Sequence, residues 1–111
     1  MSLTIDSASG GITIVRPSGR LDLLTAAQLR QDLSKIVGDG QSRLVIDLEA
    51  VTFIDSSGLG ALIGGLKAAR QAGGDLRIVR PNQQTRVLLQ LTTLERVLKP
   101  YSSIEEALSG F

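Results

Sequence analysis

The stretch from Val51 to Gly64 places two hydroxyls and a carboxylate, in Asp55-Ser56-Ser57-Gly58-Leu59-Gly60, between an apolar, strand-like run and a glycine-rich helix start. A helix N-terminus leaves unpaired N–H groups and a partial positive charge, so a phosphate carried by Ser56 or Ser57 is well accommodated there. Phosphorylation adds about −1.5 to −2 charges and three acceptor oxygens. Beside Asp55, that charge gathers where a partner's acidic or apolar surface would have to dock, and the modification acts as an off switch. The same residue types also serve as plain N-caps, Asp55 or Ser56 accepting from the first turn, and spacing alone admits both readings.

Other chemistry at these residues is poorly supported. The chain has no His and no Cys, so Ser56 and Ser57 have no imidazole to activate them, and there is neither a thiolate nor an imidazole metal ligand. Lys35, Lys67 and Lys99 occupy helix or strand-end settings and read as solvated charges, as do the scattered Arg16, Arg20, Arg77, Arg80 and Arg86. Asp22, Asp47 and Asp55 offer oxygen ligands of the kind magnesium takes. Yet Asp22 falls at a strand-to-helix turn, and Asp47 lies in an apolar strand, where a hydrogen bond to a neighbouring turn relieves its burial. In Gly58-Leu59-Gly60-Ala61-Leu62-Ile63-Gly64 the third glycine comes one position too late for a dinucleotide fingerprint, and Asp75 opens the next strand instead of ending it. Gly64 and Gly65 point instead to close packing on the sheet or to a flat surface for a partner.

The elements around this segment alternate. Leu3–Ser7 and Gly11–Pro17 are rich in β-branched residues and form an antiparallel hairpin across Ala8-Ser9-Gly10-Gly11. Thr25 caps a helix carrying Leu29, Leu33, Ile36 and Val37 on one face and ending near Gly38. Leu44–Leu48 is nearly continuous in apolar residues, as a central strand covered on both faces would be. A second helix runs from Asp55 through Leu59, Leu62, Ile63 and Leu66 to Lys67, Arg70 and the Gly73-Gly74 stop. Leu76–Val79 is a strand, Gln83–Leu91 a helix, Val97–Leu98 a short last strand before Pro100, and Ser102–Leu108 a capped closing helix. The expected fold is a single α/β domain over residues 1–111, with a mixed sheet, an N-terminal antiparallel hairpin and about four helices.

Composition narrows the function further. The 111 residues carry 12 Lys+Arg and 11 Asp+Glu, a formal charge of +1, and only 3% are aromatic. There is no global field to draw in nucleic acid or an anionic membrane and too few rings for base stacking. The N-terminus lacks the basic leader and apolar core of a signal peptide, and the weakly charged Val51–Leu66 stretch is shorter than the ~20 residues that span a bilayer. A cytoplasmic protein without a membrane span or cofactor is expected.

Asp55-Ser56-Ser57-Gly58-Leu59-Gly60, preceded by Val45-Ile46-Asp47-Leu48 and Gly19-Arg20-Leu21-Asp22, resembles the STAS domain family of bacterial anti-sigma factor antagonists over nearly the whole chain. The resemblance implies that an anti-sigma factor serine kinase phosphorylates Ser56, less readily Ser57, and that a metal-dependent serine/threonine phosphatase reverses it. It implies that the unphosphorylated form binds the kinase and releases a sigma factor, without touching DNA, and that Asp55 positions the hydroxyl or contacts the kinase. The partner surface is expected at Asp22, Leu23, Asp55, Ser56, Ser57, Gly58, Leu59 and Gly60. Leu21, Leu24 and Leu62 lie close by, at least half of these leucines belonging to the core. A homodimer is compatible with this reading. STAS domains also serve as stressosome scaffolds, as subunits of lipid-transport complexes and as tails of anion transporters. The intact Asp-Ser-Ser-Gly core favours the phosphorylatable antagonist.

Overall fold

The computed structural model describes all residues from Met1 to Phe111. Two strands open the chain, β1 (Ser2–Ala8) and β2 (Ile12–Leu21), paired antiparallel across the 3-10 turn Ser9–Gly11, where Gly10 and Gly11 both take positive φ. Then follow α1 (Ala26–Gly38), β3 (Arg43–Asp47), β4 (Val51–Ile54), α2 (Ser56–Gln71), β5 (Asp75–Val79), α3 (Gln83–Leu91), β6 (Pro100–Tyr101) and α4 (Ile104–Leu108). All six strands form one mixed sheet in the order β1-β2-β3-β5-β6, with β4 paired to β2 off that path.

Strand β2 is longer than its sequence suggests. The β-branched run that marks the second hairpin strand ends at Pro17. In the structure β2 pairs in parallel with β3 through Thr13–Val15, then changes partner and pairs with β4 through Gly19–Leu21, with a register shift between Gly19 and Arg20. Pro17 falls between the two parallel partners, outside both of their ladders, while on the other side of β2 it stands opposite Leu3 of β1. Gly19, at φ 85°, supplies the backbone conformation for the change.

Alternation along the strands sorts side chains to two faces. Val15, Leu44, Ile46, Leu76 and Ile78 face α1, α2 and α3, joining Leu29, Leu33, Leu59, Leu62, Leu66 and Leu89 in the main core. Ile12, Ile14, Val45 and Val79 face the other way and are covered by Ala107 of α4 with Tyr101, Ile104 and Phe111 around it. Helices α1 and α2 approach closely because Gly65 has no side chain: a Cβ there would sit 2.7 Å from Leu33 Cδ1 and 3.1 Å from Leu76 Cδ1. The neighbouring Gly64 is not so constrained, its nearest neighbour being Arg30 Nε at 3.6 Å.

One strand and one cap differ from expectation. The last strand is Pro100–Tyr101, paired to Ile78 and Val79, not Val97–Leu98. Leu98 is buried and anchors the segment to the core straight after the 3-10 turn Leu94–Arg96, so its apolar character reflects packing and not pairing. Thr25 precedes α1 but its hydroxyl caps nothing there. It accepts from Asp22 N–H at 3.0 Å and donates to Arg20 O at 2.8 Å, closing the preceding turn instead.

Candidate functional site

Strands β2 and β4 end side by side, Arg20 opposite Phe53 and Leu21 opposite Ile54. The residues that follow each strand, Asp22–Leu24 and Asp55–Gly58, therefore emerge together at one end of the sheet, and Asp55 ties them. Its N–H donates to Leu21 O at 3.2 Å. Its carboxylate divides: Oδ1 accepts from Gly58 N–H at 2.9 Å and caps α2, while Oδ2 accepts from Leu23 N–H at 3.1 Å. The N-cap reading of Asp55 is thus correct, but capping uses only one of its two oxygens.

The Asp22 turn is closed in a similar way. Asp22 Oδ1 accepts from Leu24 N–H at 3.0 Å and Oδ2 from Arg20 Nε at 3.1 Å. The Arg20 hydrogen bond, helped by the Leu24 N–H, the Arg20 charge and Thr25, holds the Asp22 carboxyl below the usual carboxylate range against a smaller opposing effect of burial. The guanidinium of Arg20 also lies over the Phe53 ring, 4.4 Å from its centroid. Hydrogen bonds at Asp22, Thr25 and Asp55 thus hold Leu23 and Leu24 out in solvent, 76% and 90% exposed.

Gly58 is what lets α2 start so close to the sheet. A Cβ at this position would run into the backbone carbonyl of Leu21, so the first turn of the helix rests directly on the end of β2. The ladder of α2 begins with Leu59 N–H donating to Asp55 O at 2.9 Å, leaving the N–H groups of Ser56 and Ser57 ahead of it. Ser56 is exposed and Ser57 half-buried, and neither hydroxyl is hydrogen-bonded to another protein group. Gly60 is half-buried beside Arg30.

Two of the expected contact residues need correction. Leu59 is 2% exposed and Gly58 is also buried, so both support the site from beneath and present nothing at its surface. Leu21 and Leu62 are core as well, which reduces the apolar surface to Leu23 and Leu24. The three aspartates do not converge. No group of three or more Asp or Glu is placed to hold a metal ion, and Asp47 belongs to a separate network.

Asp47 is 3% exposed. It receives the expected bond from its neighbouring turn, Glu49 N–H to Oδ1 at 3.1 Å. It also accepts from Arg80, Nη2 to Oδ2 at 2.6 Å and Nε to Oδ1 at 3.3 Å, with Arg16 Nε 3.4 Å away. Burial pushes the Asp47 carboxyl up, but the Arg80 and Glu49 hydrogen bonds and the charges of Arg80 and Arg16 outweigh it and leave the group below its ordinary value. In turn, the Asp47 hydrogen bond raises Arg80. The arginines are accordingly not scattered surface charge. Arg16 pairs with Asp6 and Asp47, Arg20 with Asp22, and Arg80 with Asp47 and Glu49; Arg77 donates to the carbonyls of Ala107, Ser109 and Gly110, and Arg86 to Pro81 O.

Two further residues complete the site and were not anticipated. Strand β4 pairs with β2 on one side only, and its other edge is closed by side-chain amides from the start of α3. Gln84 Oε1 accepts from Ile54 N–H at 3.0 Å while its Nε2 donates to Ile54 O at 2.7 Å, so the amide stands in for a neighbouring strand. Asn82 Nδ2 donates to Thr52 O at 3.1 Å, and its Oδ1 caps α3 through Thr85 N–H at 2.9 Å. Gln84 therefore fixes the residue immediately before Asp55. The run Asn82-Gln83-Gln84 was the available signal, three amides where a helix start needs only one.

Fold and site together define a small α/β domain whose sheet presents, at the ends of β2 and β4, a serine-bearing helix start beside a hydrogen-bonded leucine turn. The STAS domain model matches residues 6–107, and the chain belongs to the STAS domain family. It is 31% identical over 112 residues to the anti-sigma-F factor antagonist RsfB of Mycobacterium tuberculosis, covering 98% of this chain and 89% of the relative. It is 32% identical over 100 residues to the anti-sigma F factor antagonist of Paenibacillus polymyxa, covering 89% and 86%. A crystal structure of an anti-sigma factor antagonist from Mycobacterium paratuberculosis superposes with a TM-score of 0.85 at 30% identity, covering 97% and 91%. No helix is long and apolar enough to cross a membrane.

Proposed function

We propose that this chain is an anti-sigma factor antagonist whose unphosphorylated form docks on an anti-sigma factor kinase through the surface formed by Asp22, Leu23, Leu24, Asp55, Ser56 and Ser57, and that phosphorylation at Ser56 ends the docking. The observation that carries the reading is the state of Ser56: exposed, with a hydroxyl bonded to no other protein group, at the first position of a helix that Asp55 already caps. A serine needed as the cap would be occupied. Here the carboxylate does the capping and the hydroxyl is free for a kinase. The names of the relatives support the antagonist role.

The electrostatics account for the direction of the switch. A phosphoserine at Ser56 adds about −1.5 to −2 charges at neutral pH next to the Asp55 carboxylate and close to Asp22. The helix N-terminus offsets only about half a charge, so the surface becomes strongly anionic. Leu23 and Leu24 sit beside it and must shed water for a partner to cover them. A partner that matches the neutral surface then meets charge it cannot pair, which is costly at an interface. A metal-dependent serine/threonine phosphatase would restore the neutral surface, and both reactions would take place in the cytoplasm.

The test is incubation of the intact chain with ATP and candidate anti-sigma kinases from the same source, followed by intact-mass and site mapping. One phosphoryl group, on Ser56 and retained in Ser57→Ala, is expected. Addition confined to Ser57, or no addition with any of the kinases that bind the chain, would overturn the assignment.

A further inference from the structure

A cleft of about 140 Å³ lies at the far side of the sheet from the leucine turn, lined by Arg70, Asp75, Arg77, Arg96, Lys99 and Tyr101 with two aliphatic residues. It opens because β6 is so short. Only Ile78 and Val79 of β5 have a strand partner on that side, and Arg96 and Val97, at the end of the 3-10 turn Leu94–Arg96, line the cleft together with Asp75–Arg77 of the unpaired first half. Four cations line the cleft against one carboxylate, in a chain whose overall formal charge is +1. The concentration of charge is local to this cleft.

The cations are not equivalent. Arg77 is only 16% exposed and spends its donors on the carbonyls of Ala107, Ser109 and Gly110. Arg70 bonds Asp75 Oδ1 through Nε at 3.1 Å, and its place in the last turn of α2 suits the helix dipole. Arg96 and Lys99 have no carboxylate partner within ion-pairing distance, and Lys99 Nζ stands 5.5 Å from the centroid of the Tyr101 ring. Asp75, the one group that would repel an anion, is already engaged by Arg70 and Arg77. The free donors are therefore those of Arg96, Lys99 and the rest of the Arg70 guanidinium.

We propose that this cleft binds a small phosphate-bearing anion of the size of orthophosphate or pyrophosphate. The volume is below the roughly 300 Å³ at which pockets for drug-sized ligands begin, which matches the cleft to a small anion. Guanidinium and ammonium donors around a small concavity suit phosphate oxygens. Arg70 follows Ser56 by fourteen residues along α2, about 21 Å at the rise of an α-helix, so an anion here leaves the Ser56 surface free. This site and the proposed switch thus stand or fall separately.

The experiment is a titration of the full chain with sodium pyrophosphate, followed by backbone amide NMR, with sodium chloride at matched ionic strength as reference. Saturable shifts confined to the neighbourhood of Arg70, Asp75–Arg77 and Arg96–Tyr101 are expected. The double variant Arg96→Glu/Lys99→Glu should weaken apparent affinity at least tenfold, and the remote charge change Lys35→Glu should leave it unaltered. Both cleft residues are exposed, and an unchanged spectrum away from the cleft verifies folding of the double variant. Equal shifts with chloride, shifts spread over all exposed cations, or wild-type affinity in the double variant would each overturn the proposal.

Discussion

Truncating Asp55 to Ala removes two bonds at once, because one carboxylate oxygen caps α2 through Gly58 and the other holds Leu23. Loss of an N-cap costs about 1 kcal/mol, and loss of a hydrogen bond to a charged acceptor about 1.5 kcal/mol. Asp55 is half-buried, which places the sum near the lower end, about 2 kcal/mol. With an unfolding entropy of about 2.1 cal/mol/K per residue, that corresponds to a fall in Tm of about 9 °C for this chain. Asp55→Asn is the informative companion. Asparagine caps as well as aspartate, but its single carbonyl oxygen cannot serve both N–H groups, so about half the stability returns. Urea denaturation with an unchanged m-value measures both. Amide exchange should show the Leu23 N–H losing protection in both variants while Gly58 keeps it in Asn. A cost below about 0.5 kcal/mol for Ala, or an Asn variant no better than Ala, would refute the two-handed role of Asp55.

Two glycines of α2 should respond to alanine with opposite sign. Gly64→Ala meets only ordinary contact with Arg30 and should stabilise by about 1 kcal/mol through helix propensity, whereas Gly58→Ala drives a methyl into the Leu21 backbone and should destabilise by about 2–3 kcal/mol; equal effects in chemical denaturation would show that α2 does not rest on the end of β2. Arg80→Met leaves Asp47 buried with only Arg16 and the Glu49 N–H, at a cost of about 2–3 kcal/mol. Because the folded Asp47 carboxyl lies below its ordinary value of 3.8, that stabilisation is complete above about pH 4 and fades as pH falls further and Asp47 takes up its proton. The gap between wild type and Arg80→Met should therefore close in acid, and a gap that widens there would contradict the pairing.

The parts of the fold that could be read from the residues are those with a regular period. Helices α1 and α2 announce themselves by Leu29, Leu33 and Ile36 and by Leu59, Leu62 and Leu66, and β3 by its unbroken apolar run. What escaped detection has no period. The apolar approach to α2 reads as a strand, but its pairing with β2 off the main path does not show in the residues, and neither does the continuation of β2 past Pro17, where its parallel partner changes from β3 to β4. The apolar pair Val97-Leu98 looks like a strand but one member is simply buried. At the site, Asp55 was legible as the cap of α2 because capping chemistry is local. The Gln84 amide on Ile54 joins residues thirty positions apart, and Arg80 reaches Asp47 across thirty-three. Side-chain pairings of that range leave no trace in spacing, so the arginines looked like surface charge until the sheet brought them to their partners.

The central claim, that a neutral Ser56 is the docking-competent state, is tested most directly by the affinity of one anti-sigma kinase partner for the unmodified chain, its Ser56→Ala variant and the chain phosphorylated at Ser56. Ser56→Ala should bind within about threefold of the unmodified chain, and the phosphorylated chain about a hundredfold more weakly, equivalent to nearly 3 kcal/mol of unpaired charge at the interface. Equal affinity for the phosphorylated and unmodified chains, with Ser56 confirmed as the modified residue, would contradict it.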